Sequence, residues 1–190
     1  MTTQFYNPTT ITQYSEQDDL IQPIIEWNIN GAITQDNYIT SKQPLYTISG
    51  LWMEKYLSHT SELWCTGFNI PESDQELVGI ELFLNVHRNS RIEDLRIQLI
   101  DSTGLIGDNL ASPIDPVQSN MYTGDNSPLL PVIGNENSYS SASNLWGTTL
   151  TSAQITDPNF GVAISFRSNQ VYPHRDFAIV FQVSVGVTYG

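Results

Sequence analysis

Apolar and polar residues alternate with a period of two over several parts of the chain, a pattern that places alternate side chains on one face of a β-strand. In residues 77–86, aliphatic side chains occupy every second position. The same alternation recurs in residues 95–99, 160–166 and 177–187. The second face of residues 177–187 is also half apolar, so we expect that strand to be central or covered by another element.

Breaks in the alternation predict turns and loops. Pro71 ends a strand that we predict over residues 63–70, and a turn over residues 101–104 ends the strand that precedes it. Residues 111–143 are rich in Pro, Asn, Ser and Gly and show no periodicity. This composition predicts one or two long loops with at most short strands.

One helical signal lies near residues 151–156. Thr151 and Gln154 fit a capping box, in which each side chain satisfies a backbone amide of the other residue. Pro158 stops the helix after one or two turns, because the residue before a proline disfavours helical geometry. Residues 51–57 fit either a helical turn or a strand.

These elements together predict an all-β fold, an antiparallel β-sandwich that is jelly-roll-like and has one short helical turn. We expect residues 25–190 to form a single β-sandwich domain. Residues 1–24 are interpreted as an N-terminal arm or extension, because residues 1–20 are polar and end in acidic side chains. Such an arm orders only against a neighbouring subunit.

The charge balance narrows the classes of partner. The chain has 190 residues, with 20 acidic against 7 basic side chains and a formal net charge of −13. Nucleic-acid binding is disfavoured, because counterion release from phosphates requires clustered Lys and Arg.

No segment approaches the roughly 20 apolar residues of a membrane span, and residues 1–10 lack the features of a signal peptide. Cys65, the single cysteine, is expected to be a small core residue rather than a disulfide or zinc ligand.

No catalytic or cofactor motif is present, so we expect a protein that is not an enzyme and has no cofactor and no metal site. The G-x-S-x-G elbow, the P-loop and the G-x-G-x-x-G fingerprint are all missing, and His59, His87 and His174 stand far apart. Acidic side chains near residues 72–76, 101–108 and 125 are interpreted as solvated loops, with a calcium site as the alternative.

The four tryptophans, Trp27, Trp52, Trp64 and Trp146, fit two interpretations, a sugar-stacking platform or core packing beneath the end loops. Core packing is favoured for Trp27 and Trp146. Aromatic residues in less patterned segments are candidate contacts with a partner protein or a glycan. These candidate contacts are Trp52, Tyr122, Tyr139 and Tyr172.

Residues 144–164, with the sequence NLWGTTLTSAQITDPNFGVAI, resemble a segment of a β-sandwich domain that recurs in virion structural proteins of tailed bacteriophages. Other parts of the chain are similar to this domain in the same order, over about residues 25–190. They are Trp27-Asn28, Asn30 to Ala32, Asp36 to Tyr38, Thr66 to Pro71, Val78 to Leu82, Ile92 to Leu99 and Arg175 to Val183. The chain departs from the pattern at Leu150, where a Trp is usual, and in a longer loop over residues 113–144.

The resemblance implies a non-enzymatic virion structural protein associated with the tail, neck or baseplate. It would assemble as a homo-oligomer, a trimer or a ring, and contact other virion proteins. Its localisation would be the virion, assembled in the host cytoplasm. The residues that it marks as structural are Trp27, Phe68, Ile70, Trp146, Gly147, Ile155, Phe160 and Gly161.

Three alternatives stay open at the level of sequence. A capsid decoration protein shares every feature above. A host-glycan adhesin would carry a cluster of exposed aromatic and amide side chains. A carbohydrate-active enzyme would need two facing carboxyl groups, with Glu81 and Asp101 as candidates, about 5–10 Å apart.

Overall fold

The structure is a computed structural model. It describes residues 2–14, 24–25, 59–88, 92–111, 133–168 and 178–190. These residues form eleven strands and one helix of a single turn. The strands are β1 (Thr3–Tyr6), β2 (Thr10–Tyr14), β3 (Ile24–Ile25), β4 (His59–Thr60), β5 (Glu62–Thr66), β6 (Leu77–Arg88), β7 (Ile92–Asp101), β8 (Gly104–Ile106), β9 (Ile133–Tyr139), β10 (Gly161–Ser168) and β11 (Ala178–Tyr189). The helix α1 is Ser152–Ile155.

Within the described part of the chain, the strands form two sheets. The four-stranded sheet has the order β1-β11-β6-β9. In the seven-stranded sheet, β10 pairs with β5 and β4 along one side and with β7 along the other, while β2 flanks β5, β3 flanks β4 and β8 flanks β7. All pairs are antiparallel except the short pairing of β3 with β4. The predicted all-β, antiparallel β-sandwich is confirmed.

The core lies between the two sheets, because the inward side chains of both belong to one buried cluster. The four-stranded sheet contributes Ile80, Leu82, Leu84 and Val86 from β6 and Val180, Val183, Val185 and Val187 from β11. The seven-stranded sheet contributes Leu63, Cys65, Ile97, Leu99, Val162, Ile164 and Phe166. The alternation read from the sequence therefore identifies most of the inward positions correctly. Strand β11 is central, as expected, with β1 and β6 on its two sides.

Three register shifts change the phase of this alternation. One lies at the start of β6, opposite Thr188 and Tyr189 of β11, where Leu77 rather than Val78 is buried in the core. In β11 the register shifts between Val180 and Gln182, and Val180 is fully buried in the core, although strict alternation places it on the opposite face from Val183. In β7 the register shifts opposite residues 165–166 of β10, so Asp94 rather than Leu95 continues the inward face of Ile97. A bulge adds one unpaired residue and reverses the faces beyond it.

The N-terminal segment is not an arm ordered by a neighbour, and that expectation is wrong for residues 3–6 and 10–14. Strand β1 pairs with β11, and β2 pairs with β5, so the first strands of the chain join one sheet each. Both strands pair along only one side in the described structure. Strands at such an edge carry polar side chains that face solvent, and for this reason the sequence pattern did not predict them. The division of the chain after residue 24 stays a prediction.

Two predicted boundaries also differ from the structure. Strand β5 ends at Thr66 rather than at residue 70, because Gly67 and Asn69 adopt positive φ angles of 69° and 52°. Strand β9 pairs with β6 over residues 133–139, inside the segment that the sequence indicates as loop. Its polar sequence IGNENSY hides it from pattern reading. In the described residues, no helix has the length and apolar character to cross a bilayer.

Candidate functional site

The loop and helical turn of residues 140–161, which we call the Trp146 plug, close one end of the sandwich. The Trp146 side chain is completely buried, and its Nε1–H donates to the Ile80 carbonyl oxygen at 2.8 Å. The Ile80 amide in turn donates to the Asn144 carbonyl oxygen at 2.9 Å. Because Ile80 lies in β6, these bonds fasten the plug to the four-stranded sheet.

The plug is also hydrogen-bonded to the segment that follows β8 of the seven-stranded sheet, and an unusual backbone makes this possible. Trp146 and Gly147 have φ angles of 59° and 67°, the left-handed region that a bulky residue avoids. This conformation lets the Trp146 carbonyl oxygen accept from the Asp108 amide at 2.6 Å. A Cβ at Gly147 would lie 2.1 Å from Asp108 Oδ2. The Asp108 side chain can move aside, so it is the left-handed φ angle that favours glycine at position 147.

The helical turn α1 forms as the sequence predicts. Thr151 Oγ1 accepts from the Gln154 amide at 3.3 Å, and Gln154 Oε1 accepts from the Thr151 amide at 2.9 Å, which completes the capping box. Ile155 points into the core with 1% of its surface exposed. After the turn, the Phe160 amide donates to the Asp157 carbonyl oxygen at 2.9 Å, which leads the chain into β10.

Of the residues that the resemblance marks as structural, Gly147 is exposed and the others that the structure describes are buried. Phe68, Ile70, Trp146, Ile155 and Phe160 all belong to the core cluster. A Cβ at Gly161 would lie 2.0 Å from the Cys65 carbonyl oxygen. Trp27 lies outside the described residues. Leu150, at the position where the family usually has a Trp, is itself part of the core cluster.

A different kind of cluster lies on the outward face of the seven-stranded sheet. We call it the outer patch, and its residues are Tyr14 of β2, Glu62 and Trp64 of β5, and Arg96 and Gln98 of β7. These positions alternate with core residues such as Leu63, Cys65 and Ile97, and therefore point away from the core. No member of the outer patch belongs to the core cluster.

The aromatic half of the outer patch is a stacked pair. The ring centroids of Tyr14 and Trp64 are 4.9 Å apart, with an angle of 27° between the ring planes. Tyr14 lies opposite Glu62 in the register, so Trp64 is its diagonal neighbour, within reach of an aromatic ring. Tyr14 is 45% exposed and Trp64 is half-buried. The pair thus presents aromatic surface to solvent.

The polar half of the outer patch is a continuous chain of contacts. Trp64 Nε1–H donates to Glu62 Oε2 at 2.8 Å, and Glu62 Oε1 pairs with Arg96 Nε. Arg96 Nη1–H donates to Gln98 Oε1 at 2.9 Å, and Gln98 Nε2–H donates to the Gly107 carbonyl oxygen at 2.7 Å. The side chains of Arg96 and Glu62 are 27% and 11% exposed. Each polar side chain therefore has a neighbour that orients it.

Small side chains of β10 lie beneath these groups. Ala163 pairs with Trp64 on one side and with Gln98 on the other, and Ser165 pairs with Arg96. Both small residues are almost completely buried. Because neighbouring strands are about 4.8 Å apart, the small residues let the larger side chains of β5 and β7 lie down across β10. The outer patch is consequently a flat layer rather than a deep cavity.

Sequence reasoning identified only one member of the outer patch, Trp64, as a candidate for sugar stacking. Tyr14 was missed because it lies in the segment interpreted as an arm. Glu62, Arg96 and Gln98 were missed because polar residues at alternate strand positions are typical of any solvated sheet face. They become recognisable as a group only once β5 and β7 are known to lie on the two sides of β10. That arrangement belongs to the sheet topology and leaves no local signal in the sequence.

Tyr139 is not an exposed contact, and that prediction is wrong. Its side chain is only 8% exposed, and its hydroxyl donates to the buried Asp94 Oδ2 at 2.7 Å. Tyr139 is in β9 and Asp94 is in β7, so this hydrogen bond joins the two sheets. The other candidate contacts, Trp52, Tyr122 and Tyr172, lie outside the described residues.

The acidic side chains near residue 125 lie outside the described residues, and the others can be placed. In the described part of the chain, no group of three or more His, Cys, Asp or Glu side chains could hold a metal ion. Glu72, Asp74 and Glu76 are exposed in a loop. Hydrogen bonds from the Thr103 hydroxyl and amide to the Asp101 carboxylate lower its pKa and stabilise the turn between β7 and β8. Glu81 lies in the four-stranded sheet and Asp101 in the seven-stranded sheet.

Cys65 is a core residue, as the sequence predicts. Its side chain is fully buried, and burial raises the pKa of the thiol to about 12. The thiolate is the reactive form of cysteine, so this side chain is held in its inert form.

Comparisons of the chain with protein-family models, with curated proteins and with solved structures gave no match. The β-sandwich fold thus rests on the structure, and the resemblance of residues 144–164 to a phage virion domain is a prediction from the sequence.

Proposed function

We propose that this chain is a non-enzymatic structural protein of a bacteriophage virion, associated with the tail, neck or baseplate. The observation that carries the proposal is the Trp146 plug. The residues that give the chain its likeness to virion β-sandwich domains are the ones whose chemistry the plug requires, namely a buried indole, a left-handed glycine, a capping box and a glycine against backbone.

A closed sandwich of this kind suits a mechanical role. The plug is hydrogen-bonded to Ile80 of β6 and to Asp108 after β8, and these bonds give one end of the domain a defined shape. Fixed shape favours assembly through complementary surfaces, because little conformational entropy is lost on association. In this proposal the chain forms a homo-oligomer, a trimer or a ring, and contacts other virion proteins without turnover.

The charge composition supports the same role. With two lysines and a net charge of −13, the chain suits protein–protein assembly better than contact with packaged nucleic acid. A capsid decoration protein is the nearest alternative within this proposal, since it needs the same fold and the same absence of turnover.

The test has two measurements on the full chain. Light scattering gives the mass of the purified protein in solution, and we expect a trimer or a larger ring. Mass spectrometry of heads and tails, separated from virions of the phage that encodes the chain, locates it, and we expect it in the tail fraction. Detection in heads alone would favour decoration, whereas a stable monomer absent from both fractions would contradict the proposal.

A further inference from the structure

We propose that the outer patch is a binding site for a neutral saccharide, which stacks on the Tyr14–Trp64 pair and hydrogen-bonds to Arg96, Gln98 and Glu62. This inference goes beyond the proposed structural role and does not depend on it. It rests on the geometry of five side chains on three strands, all on the face of the seven-stranded sheet that points away from the core.

The aromatic pair supplies the apolar half of such a site. The face of a sugar ring that carries C–H groups has positive polarity and packs on the negative face of an aromatic ring. Tyr14 is 45% exposed and stacks on the half-buried Trp64, whose indole is held by its bond to Glu62. Because the rings are already oriented, a ligand would lose less free energy in ordering them.

The connected polar side chains of Glu62, Arg96 and Gln98 supply the hydrogen-bonding half of the site. Sugar hydroxyl groups both donate and accept, so a saccharide site needs both kinds of group close together. The Arg96 guanidinium has further N–H donors beyond those that face Glu62 and Gln98. The Glu62 carboxylate has lone pairs in addition to those used by Trp64 and Arg96. Donors and acceptors therefore lie beside the aromatic surface.

The charges of the outer patch favour an uncharged ligand. Glu62 and Arg96 neutralise each other in a direct ion pair. The outer patch is thus locally neutral on a chain of net charge −13, which repels acidic ligands at longer range. A neutral hexose or N-acetylhexosamine unit fits both conditions, whereas a phosphate- or sialic-acid-bearing ligand does not.

The size of the outer patch favours a small ligand over a protein. A standard protein interface takes about 20–30 residues from each partner, whereas the outer patch is a group of five side chains around one stacked pair. Trp, Tyr and Arg also occur in protein interfaces, so contact between copies of the chain is the competing outcome that the experiment must separate.

The experiment follows the indole N–H signals of the full-length, ¹⁵N-labelled chain by NMR. The probes are the trisaccharides of glucose, galactose, mannose and N-acetylglucosamine, each added up to about 10 mM, tenfold above a Kd of about 1 mM. The variant Trp64→Phe identifies the Trp64 signal by its loss. We expect at least one trisaccharide to shift the Trp64 signal in a saturable way and to leave the Trp146 signal unchanged.

Two variants separate a saccharide site from a general surface effect. Tyr14→Ala removes the exposed ring of the pair, and we expect at least about tenfold weaker binding. Phe5→Ala is the matched control, because Phe5 is a 52% exposed aromatic residue on the other sheet, and its binding should equal that of the unmodified chain. The dispersion of the NMR spectrum reports whether each variant is folded.

Three results would overturn the inference. The first is that none of the four trisaccharides shifts the Trp64 signal. The second is equal weakening by Tyr14→Ala and Phe5→Ala. The third is a fall in the oligomer mass of Tyr14→Ala by light scattering, which would make the outer patch a contact between copies of the chain.

Discussion

Trp146 and Trp64 are the same residue type in two opposite settings. The indole of Trp146 is fully buried, donates to a backbone carbonyl oxygen and sits on a left-handed backbone. The indole of Trp64 is half-buried, donates to a carboxylate and stacks on an exposed tyrosine in a regular strand. The partner of the N–H group and the ring's exposure, rather than the residue type, separate a structural tryptophan from a candidate recognition tryptophan.

Strand β5 shows the same contrast between adjacent residues. Cys65 faces the core and is completely buried, while Trp64 faces outward and joins the outer patch. One step along a strand moves a side chain from one face to the other. The contrast between inside and outside can therefore be tested by substitutions whose expected effects decrease from the Trp146 plug to the outer patch.

The largest expected effect comes from Trp146→Ala. Loss of the buried ring should lower the free energy of unfolding by about 3–5 kcal/mol, as measured by urea denaturation. The control Trp146→Phe keeps most of the ring and leaves the Ile80 carbonyl oxygen without its donor, so we expect a smaller loss of about 1–3 kcal/mol. An unchanged midpoint for Trp146→Ala would show that the plug does not support the fold.

The second effect concerns Cys65. Burial raises the pKa of its thiol to about 12 and keeps iodoacetamide away from it, so at pH 8 the folded chain should react far more slowly than the chain unfolded in urea. Because the pKa is raised on folding, the associated stability is complete below about pH 9 and decreases as the pH rises toward 12. Equal labelling rates in the two states would contradict the inward placement of Cys65.

The third effect is steric. Gly161→Ala places a Cβ against the Cys65 carbonyl oxygen, a backbone atom that cannot move aside, and should cost about 1–3 kcal/mol. Gly186→Ala is the control in the other sheet, because its Cβ would meet only side-chain atoms, of Phe5 and Thr3 on the neighbouring strand β1, and side chains can adjust where backbone cannot. If both variants lose the same stability by thermal unfolding, backbone obstruction is not the reason for glycine at position 161.

The smallest effect on stability is expected from the outer patch. Tyr14→Ala removes one stacked ring from a partly exposed pair and should lower the free energy of unfolding by about 0.5–1.5 kcal/mol. Denaturation in urea measures the change, with Phe5→Ala as the comparison on the other sheet. A loss as large as that of Trp146→Ala would mean that the outer patch is part of the stabilising core, and the contrast between the two tryptophans would fail.

Much of the fold follows from sequence, because inward-facing aliphatic residues at every second position have few other ways to be buried. The alternation from residue 80 to residue 86, the capping box at Thr151 and the turn before Gly104 are local patterns that the structure reproduces. At the start of the same strand, Leu77 rather than Val78 is in the core. The sequence pattern did not predict the polar strands β1, β2 and β9, because these segments are strands through their pairing and not through their composition.

Sequence alone determined the all-β class and the inward faces of the long strands between their bulges, since each depends on neighbouring residues along the chain. Tertiary structure alone decided the phase of β7 and β11 beyond their bulges, the burial of Tyr139 against Asp94 and the assembly of the outer patch. The physical reason is distance along the chain. Tyr14, Trp64 and Arg96 become neighbours only when β2, β5, β10 and β7 pair in one sheet, and no local pattern encodes that pairing.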